Sequence, residues 1–270
     1  MITTPELWGI VNVTPDSFSD GGLFVAPEVA VAHARELLAD GASVIDVGGE
    51  STRPGAPRVS VEEEQARVLP VISALVAEGI TVSIDTMNAS TAAAAIDAGV
   101  RYVNDVSGGL ADPDMVGVIA HSSVDYVVMH WRGHSEHMDA LATYDDVVLE
   151  VSRELQERLE TLQQAGVTAE RIVIDPGLGF AKTPQHNWAV VAGMETLVAL
   201  EHRVLVGASR KRFLGEIVQG EHSPAERDGV SAVVGVFLAE RGVWGLRVHN
   251  PKVHRQALDV WHAVSRGGQS

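Results

Sequence analysis

The sequence predicts a single-domain α/β protein with the (β/α)8 barrel fold, also called the TIM barrel. Short apolar runs recur eight times in 270 residues, and polar residues and then, in most cases, a helical pattern follow each run. The runs are rich in Val, Ile and Leu without polar alternation, as expected of parallel strands that are buried on both faces. Eight strand–helix units in this length fit the ~250 residues that are typical of the barrel.

The eight runs are the predicted strands. In chain order they are LWGIVNV (7–13), SVIDVGG (43–49), TVSIDT (81–86), RYVNDVSGG (101–109), DYVVMH (125–130), RIVIDPG (171–177), RVLVGAS (203–209) and GLRVHN (245–250). Four predicted helices between them end at a glycine, the usual left-handed stop: Gly41, Gly79, Gly99 and Gly166. A doubly wound open sheet is the alternative, but eight units would be long for it, and no G-x-G-x-x-G fingerprint follows the first run.

No linker or low-complexity stretch divides the chain. We therefore expect one barrel domain over residues 1–265 and a frayed tail over residues 266–270.

Composition excludes several classes of function. The 36 acidic side chains outnumber the 20 basic ones, and the net charge of −16 argues against binding to nucleic acids or anionic membranes. The absence of cysteine excludes disulfides, zinc–thiolate sites and thiol nucleophiles. The opening MITTPELWGIVNV does not resemble a secretory signal, and no apolar run approaches the ~20 residues that span a bilayer. The sequence therefore predicts a soluble, cytoplasmic protein.

Polar residues end each predicted strand at a shared register. They are Asn12, Asp46, Asp85, Asn104 with Asp105, His130, Asp175, Ser209 to Lys211, and Arg247 with His249. Any single Asp or Asn could simply cap the following helix. The cationic and imidazole groups are poor caps, however, and a barrel opens all its strand ends on one face, where such enzymes carry their chemistry. The register therefore predicts a polar site at one mouth.

Three loops add further candidates. VNVTPDSFSDGG contains Asp20, and GGESTRPGA contains Thr52 and Arg53; both are rich in Gly, Pro, Ser and Thr, which favours exposed N–H groups suited to phosphate oxygens. Ordinary turns are the alternative for such segments. DPGLGFAK presents Phe180 as an aromatic face. The His-rich HWRGHSEH (130–137) could bind a metal, but its central glycine favours a flexible loop.

The stretch SRKRF places three cations, Arg210 to Arg212, directly after the seventh strand of an acidic chain. A solvated basic patch is the alternative, but at a strand end the cluster favours an anionic or electron-rich ligand.

Seven motifs in this order resemble the dihydropteroate synthase family over essentially the whole chain. They are GIVNVTPDSFSDGG, DVGGESTRPGA, SIDT, NDVSGG, DPGLGFAK, GASRKRF and RVH. The resemblance implies condensation of 6-hydroxymethyl-7,8-dihydropterin diphosphate with 4-aminobenzoate, with Mg²⁺ as cofactor, in a homodimer. One departure is Asn250, where the family commonly has Asp, and it leaves a helix cap in question.

The resemblance also implies roles for individual residues. Pterin contacts are assigned to Asp85, Asn104, Asp175 and Lys211. Met129 and Gly207 are further substrate-binding candidates, although a Met before such a loop is more often a core residue. Diphosphate contacts are assigned to Thr52, Arg53, Arg247 and His249, and the Mg²⁺ contact to Asn12. The aminobenzoate end is assigned to Phe180, Arg210 and Arg212 with the helix start that follows. The implied catalytic residues are Asp85, Lys211, Asp20 and Arg53.

Two other functions remain open at this point. A methyltransferase domain of the same barrel family would use methyltetrahydrofolate beside a cobalamin partner, but it would not need SRKRF and RVH to handle diphosphate. A non-catalytic copy would bind pterin without condensing it, although Asn12, Arg53 and Lys211 are all present.

Overall fold

In the computed structural model, eight parallel strands form a closed barrel in which each strand pairs with its neighbour in sequence and β8 pairs with β1. The structure describes residues 4–14, 27–50, 59–134, 137–218 and 223–267. The strands are β1 (Glu6–Asn12), β2 (Val44–Gly48), β3 (Val82–Asp85), β4 (Tyr102–Asp105), β5 (Asp125–Met129), β6 (Ile172–Asp175), β7 (Arg203–Val206) and β8 (Gly245–Val248). The predicted fold class is confirmed, and the open sheet is excluded.

Helices follow the strands along the described chain. The α-helices are α1 (Pro27–Ala39), α2 (Val61–Ala77), α3 (Ala89–Asp97), α4 (Met115–Ala120), α5 (Val147–Gln164), α6 (Pro184–Ala192), α7 (Met194–Val198), α8 (Asp228–Glu240) and α9 (Pro251–Gly267). Helix ends are marked as the sequence predicts, because Gly41, Gly79, Gly99 and Gly166 all have positive φ, from +75° to +103°.

An aromatic cluster, which we call the floor, fills the barrel near the N-terminal ends of the strands. It consists of the buried residues Trp8, Val44, Tyr102, Val127, Val173 and Leu205, with Trp244 packed against them. The rings of Trp8 and Tyr102 have centroids 4.7 Å apart, and those of Trp8 and Trp244 are 6.0 Å apart in an edge-on arrangement. Tilted and edge-on pairs of this kind are the favoured aromatic geometries. The floor closes one end of the barrel, so a ligand site is confined to the other end.

A larger apolar core lies between the barrel and its helices. The outward-facing side chains of the strands, such as Ile45, Ile84 and Val128, pack there against helix residues such as Ile72 and Leu155. In the part of the chain that the structure describes, no helix has the length and apolar character that a membrane span needs.

Candidate active site

The side chains two residues beyond the floor lie at the mouth of the barrel. Side chains on a strand alternate between faces, so residue i+2 lies above residue i on the same face. The steps from floor to site are Val44 to Asp46, Tyr102 to Asn104, Val127 to Met129, Val173 to Asp175 and Leu205 to Gly207. At Gly207 the missing side chain leaves space beside Arg247, since a Cβ there would lie 3.9 Å from the Cβ of Arg247.

One guanidinium serves two carboxylates at the centre of the site. Arg247 donates from Nε to Oδ2 of Asp46 at 2.5 Å and from Nη2 to Oδ2 of Asp85 at 2.7 Å. Asn104 adds a hydrogen bond from Nδ2 to Asp46 at 3.1 Å. Burial raises the pKa of Asp85 to about 7, with Arg247 opposing the rise and the Asp46 charge adding to it. The cluster therefore holds a carboxyl group that can change protonation near neutral pH.

Lys211 and Asp175 line the same pocket. The pocket is lined by Asp85, Asn104, Val106, Met129, Asp175, Leu178, Phe180, Gly207, Lys211 and Arg247. Nζ of Lys211 lies 4.1 Å from the centre of the Phe180 ring, within range of a cation–π interaction. Burial lowers the pKa of Lys211 to about 8, and Asp175 limits the decrease. Asp175 itself accepts a 2.7 Å hydrogen bond from the backbone of Gly177.

Asn12 and Asp85 offer oxygen atoms around a small gap that a glycine creates. A Cβ on Gly48 would lie 3.7 Å from Oδ1 of Asn12 and 3.7 Å from Oδ2 of Asp85. Mg²⁺ prefers oxygen ligands, keeps several waters and takes the remaining ligands from substrate phosphates, so these donors fit it. In the parts of the chain that the structure describes, no group of three or more His, Asp or Glu side chains forms a metal cluster.

His249 lies beside the site as a neutral imidazole. Its Nδ1 and its backbone N–H both lie 3.1 Å from Oγ of Ser209. Burial, together with the charges of Arg210 and Arg247, lowers the pKa of His249 to about 3. At neutral pH the side chain therefore offers a hydrogen bond and no positive charge.

Arg210 pairs with a carboxylate of the protein itself. Its guanidinium makes two hydrogen bonds with Asp228, at 2.6 and 2.8 Å, and its carbonyl oxygen accepts from Arg227 at 3.1 Å. Its predicted contact with the carboxylate of a ligand stays a prediction, and the observed partner of the guanidinium is Asp228. Arg212 is exposed and begins a 3-10 helix of five residues, Arg212–Glu216.

Two members of the predicted polar ring, Asp105 and His130, lie on the wrong face of the barrel. Asp105 directly follows Asn104 and therefore points outward, where it accepts from Ser107, Gly109 and Tyr126. His130 directly follows Met129 and lies behind the sheet beside Glu154 and Lys182. The prediction failed here because a register read along the sequence does not show which face of the strand each residue occupies. Asp105 and His130 make contacts within the protein, outside the pocket.

The remaining candidates fall into two groups. Asp20, Thr52 and Arg53 lie outside the described residues, so their roles stay predictions. Asn250 answers the question of the cap: its Oδ1 accepts from the N–H of Val253 at 3.3 Å at the start of α9, and its Nδ2 donates to Asp228 at 3.0 Å.

Sequence reasoning missed a buried carboxylate that supports the strand end carrying Asp85. Glu64 of α2 is 1% exposed and accepts hydrogen bonds from Thr86 and Asn88, both at 2.8 Å, and from Thr91 at 2.6 Å. The acidic run VEEEQ resembles a solvated helix start. The available signal is helical spacing, which places Glu64 on the same face as Val68 and Val71.

Comparison with known proteins gives the family. The protein-family model described as pterin binding enzyme matches residues 8–249 of this chain. Dihydropteroate synthase of Mycobacterium leprae (strain TN) is 48% identical over 268 residues, which cover 97% of this chain and 94% of the relative. A structure of Xanthomonas albilineans dihydropteroate synthase with 4-aminobenzoic acid is 43% identical, with a TM-score of 0.91, and covers 98% of this chain and 94% of that chain. A structure of the same enzyme with 7,8-dihydropteroate is 40% identical, with a TM-score of 0.88, and covers 98% and 95%. The chain therefore belongs to the pterin-binding enzyme family, within its dihydropteroate synthases.

Proposed function

We infer that the protein condenses 6-hydroxymethyl-7,8-dihydropterin diphosphate with 4-aminobenzoate, giving 7,8-dihydropteroate and diphosphate for folate biosynthesis. The observation that carries this function is the pocket that Asn104, Asp175 and Lys211 line together with the Asp85–Arg247 pair. Relatives solved with 4-aminobenzoic acid and with 7,8-dihydropteroate support the same reaction.

The polar groups of the pocket match the edge of a pterin. An aminopyrimidinone edge presents adjacent N–H donors and acceptors, and a carboxylate such as Asp175 can accept two of those hydrogens. Asn104 can donate and accept through one amide, and Lys211 can donate to a ring carbonyl or nitrogen. Asn104 and Asp175 are buried, with 4% and 6% of their surface exposed. Water therefore competes weakly there, and each such hydrogen bond contributes more to the affinity for the pterin.

The reaction breaks the bond between the pterin methylene carbon and the diphosphate oxygen and forms a bond from that carbon to the amine nitrogen. The amine is neutral at pH 7 and already nucleophilic, and it passes one proton to water after attack. The chemistry therefore needs charge stabilisation more than a strong base. Asp85 in its carboxylate form stabilises positive charge that develops on the methylene, while Arg247 and the neutral His249 take diphosphate oxygens.

We propose Mg²⁺ as the cofactor, held by Asn12 and completed by water and diphosphate oxygens. The support is Oδ1 of Asn12, an oxygen of the kind that Mg²⁺ prefers, which lies 3.7 Å from the position that a Cβ on Gly48 would take. A bound Mg²⁺ would neutralise charge on the leaving diphosphate.

The second substrate is proposed to lie against Phe180, beside Lys211. Arg210 is committed to Asp228, so the exposed Arg212 is the remaining cation of the SRKRF cluster for the carboxylate of 4-aminobenzoate.

We also propose a homodimer in the cytoplasm. Exposed apolar side chains on two adjacent helices support the dimer: Val233 and Phe237 of α8, and Val260 and Val264 of α9, are 49–71% exposed. Apolar surface of this kind is a common mark of a contact between copies. Sedimentation of the wild type and of Phe237→Glu would test it, with a monomeric variant as the expected result.

One incubation tests the function. The protein is mixed with the pterin diphosphate, 4-aminobenzoate and Mg²⁺, and 7,8-dihydropteroate and diphosphate are measured by chromatography. Equal amounts of both products support the proposal. Pterin binding without product would indicate a non-catalytic copy, and methyl transfer from methyltetrahydrofolate would indicate the methyltransferase alternative.

A further inference from the structure

A buried lysine that the mechanism above does not use lies behind the β6–α6 loop, residues 176–183. Lys182 is 8% exposed. Its Nζ lies 2.9 Å from Nδ1 of His130, 3.1 Å from the carbonyl oxygen of Gly177 and 3.2 Å from that of Phe180. A lysine ammonium has three N–H groups and no acceptor, so three acceptors match it fully.

His130 connects this lysine to the surface of the protein. Its Nε2 lies 2.9 Å from Oε2 of Glu154, whose carboxylate also accepts two hydrogen bonds from Arg132. Burial opposes ionisation of Glu154, but the hydrogen bonds from His130 and Arg132 prevail and lower its pKa to about 2. Because the ionised carboxylate only accepts, His130 donates from Nε2, and its Nδ1 accepts from Lys182.

The loop that Lys182 holds is closely packed and locally strained. Ala181 has φ +45°, a conformation that is unfavourable for an L-residue and persists only where surrounding contacts enforce it. A Cβ on Gly177 would clash with the carbonyl oxygen of His130, and one on Gly179 would lie 2.8 Å from Cδ of Lys211. The loop therefore fits one narrow position between His130 and Lys211.

We propose that Lys182 is a positioning residue for the second substrate. By binding the carbonyl oxygens of Gly177 and Phe180, it fixes the turn that presents the Phe180 ring to Lys211 and to the space for 4-aminobenzoate. His130, Glu154 and Arg132 fix the lysine in turn. This role rests on the proposed function and explains the HWR segment, which the reaction itself does not use.

The pterin end of the pocket does not depend on this loop to the same degree. Asp175 is the last residue of β6, where it pairs with Met129, and its carbonyl oxygen accepts from the N–H of His130 at 2.8 Å. The strand therefore fixes the backbone of Asp175, and its carboxylate contacts the loop only at Gly177, whereas Phe180 lies five residues beyond Asp175 in the loop. Loss of Lys182 should weaken binding of 4-aminobenzoate far more than binding of the pterin.

Lys182→Met removes all three donors while keeping a side chain of similar length. Its matched control is Lys252→Met, because Lys252 is exposed on α9. A milder pair covers the case in which Lys182→Met does not fold: Glu154→Gln disturbs the network through His130, and Glu157→Gln alters a carboxylate whose side chain is 67% exposed on the same helix. Each variant is examined by amide hydrogen exchange of residues 177–183, which follow Pro176, and by steady-state kinetics for both substrates.

In Lys182→Met we expect these amide hydrogens to exchange at least tenfold faster than in the wild type. We also expect the KM for 4-aminobenzoate to rise at least tenfold. The KM for the pterin diphosphate should change less than threefold, and Glu154→Gln should give smaller changes in the same direction. Unchanged exchange in a folded variant would overturn the positioning role, and equal changes in both KM values would overturn the link to the second substrate. If the wild type forms no dihydropteroate, the proposed function and that link both fall, while the exchange data still decide whether Lys182 holds the loop.

Discussion

The guanidinium of Arg247 lies 2.7 Å from the carboxylate of Asp85, although 162 positions separate the two residues in the chain. The same guanidinium binds Asp46. One cation therefore compensates two buried carboxylates at the centre of the barrel, and several properties of the protein depend on this arrangement.

Arg247→Met should destabilise the protein strongly. It leaves the carboxylates of Asp46 and Asp85 buried together without a cation, and breaking a buried ion pair from one side typically costs about 3–5 kcal/mol. Adding Asp46→Asn should recover part of the loss, because one of the two charges is gone. Urea unfolding of the single and double variants measures both effects. A loss below about 1 kcal/mol for the single variant would show that the pair contributes little.

The pH dependence of kcat/KM should have an acid limb near pH 7. The pKa of Asp85 is raised to about 7, so the carboxylate that stabilises developing positive charge is protonated, and activity is lost, as the pH falls below that value. An alkaline limb should appear near pH 8, where Lys211 loses its proton. Asp46→Asn removes a like charge beside Asp85 and should move only the acid limb, toward lower pH. An acid limb that does not move would assign it to another group.

Asp175→Ala and Asp85→Ala should lower catalytic efficiency by different routes. Asp175 should matter mainly for pterin affinity, since a lost hydrogen-bonding carboxylate costs about 1.5–3 kcal/mol. Asp85 should lower kcat as well, because it stabilises charge in the transition state. Calorimetry with the pterin and single-turnover rates separate the two. Equal losses of affinity with unchanged turnover in both variants would contradict this division.

Arg210→Ala should lower stability without changing the affinity for 4-aminobenzoate. Its two hydrogen bonds to Asp228 connect the end of β7 to the first turn of α8. Arg212→Ala is the matched comparison, and it should weaken 4-aminobenzoate binding with little change in stability. Thermal unfolding and the KM for 4-aminobenzoate measure the two effects. The opposite pattern would return Arg210 to the substrate site.

4-Aminobenzoate should bind appreciably only after diphosphate and Mg²⁺ are in place. Loops 14–22 and 50–58 are rich in Gly, Ser and Pro and carry Asp20 and Arg53, which lie outside the described residues. Phosphate charge would give Arg53 and the loop amides a partner and favour closure over the site. Calorimetric titration of 4-aminobenzoate with and without Mg²⁺ and diphosphate decides it; equal affinities would mean that the pocket is preformed.

The sequence predicts the barrel well because buried parallel strands and glycine helix ends leave strong local signals. It also predicts which strand ends carry polar groups. It cannot tell Asn104 from Asp105, or Met129 from His130, because adjacent residues differ only in which face of the strand they occupy. Partner choice is equally hidden: the commitment of Arg210 to Asp228 depends on two segments that meet only in the folded chain. Glu64 shows the third limit: helical spacing indicates its buried face, but its three hydroxyl and amide donors come from residues 22 to 27 positions away and are not visible in the sequence.

The aromatic floor constrains the order in which substrates bind and products leave. Because Trp8, Tyr102 and Trp244 pack across one end of the barrel, substrates and products enter and leave through the other end. The ligand that binds deepest in the barrel must bind first and leave last, and a ligand bound nearer the mouth delays its release. In the proposed reaction the pterin, which becomes part of the product, binds Asn104 and Asp175 on the strands, and 4-aminobenzoate binds nearer the mouth beside Phe180. In each cycle, therefore, the next pterin can enter only after the groups bound nearer the mouth have left.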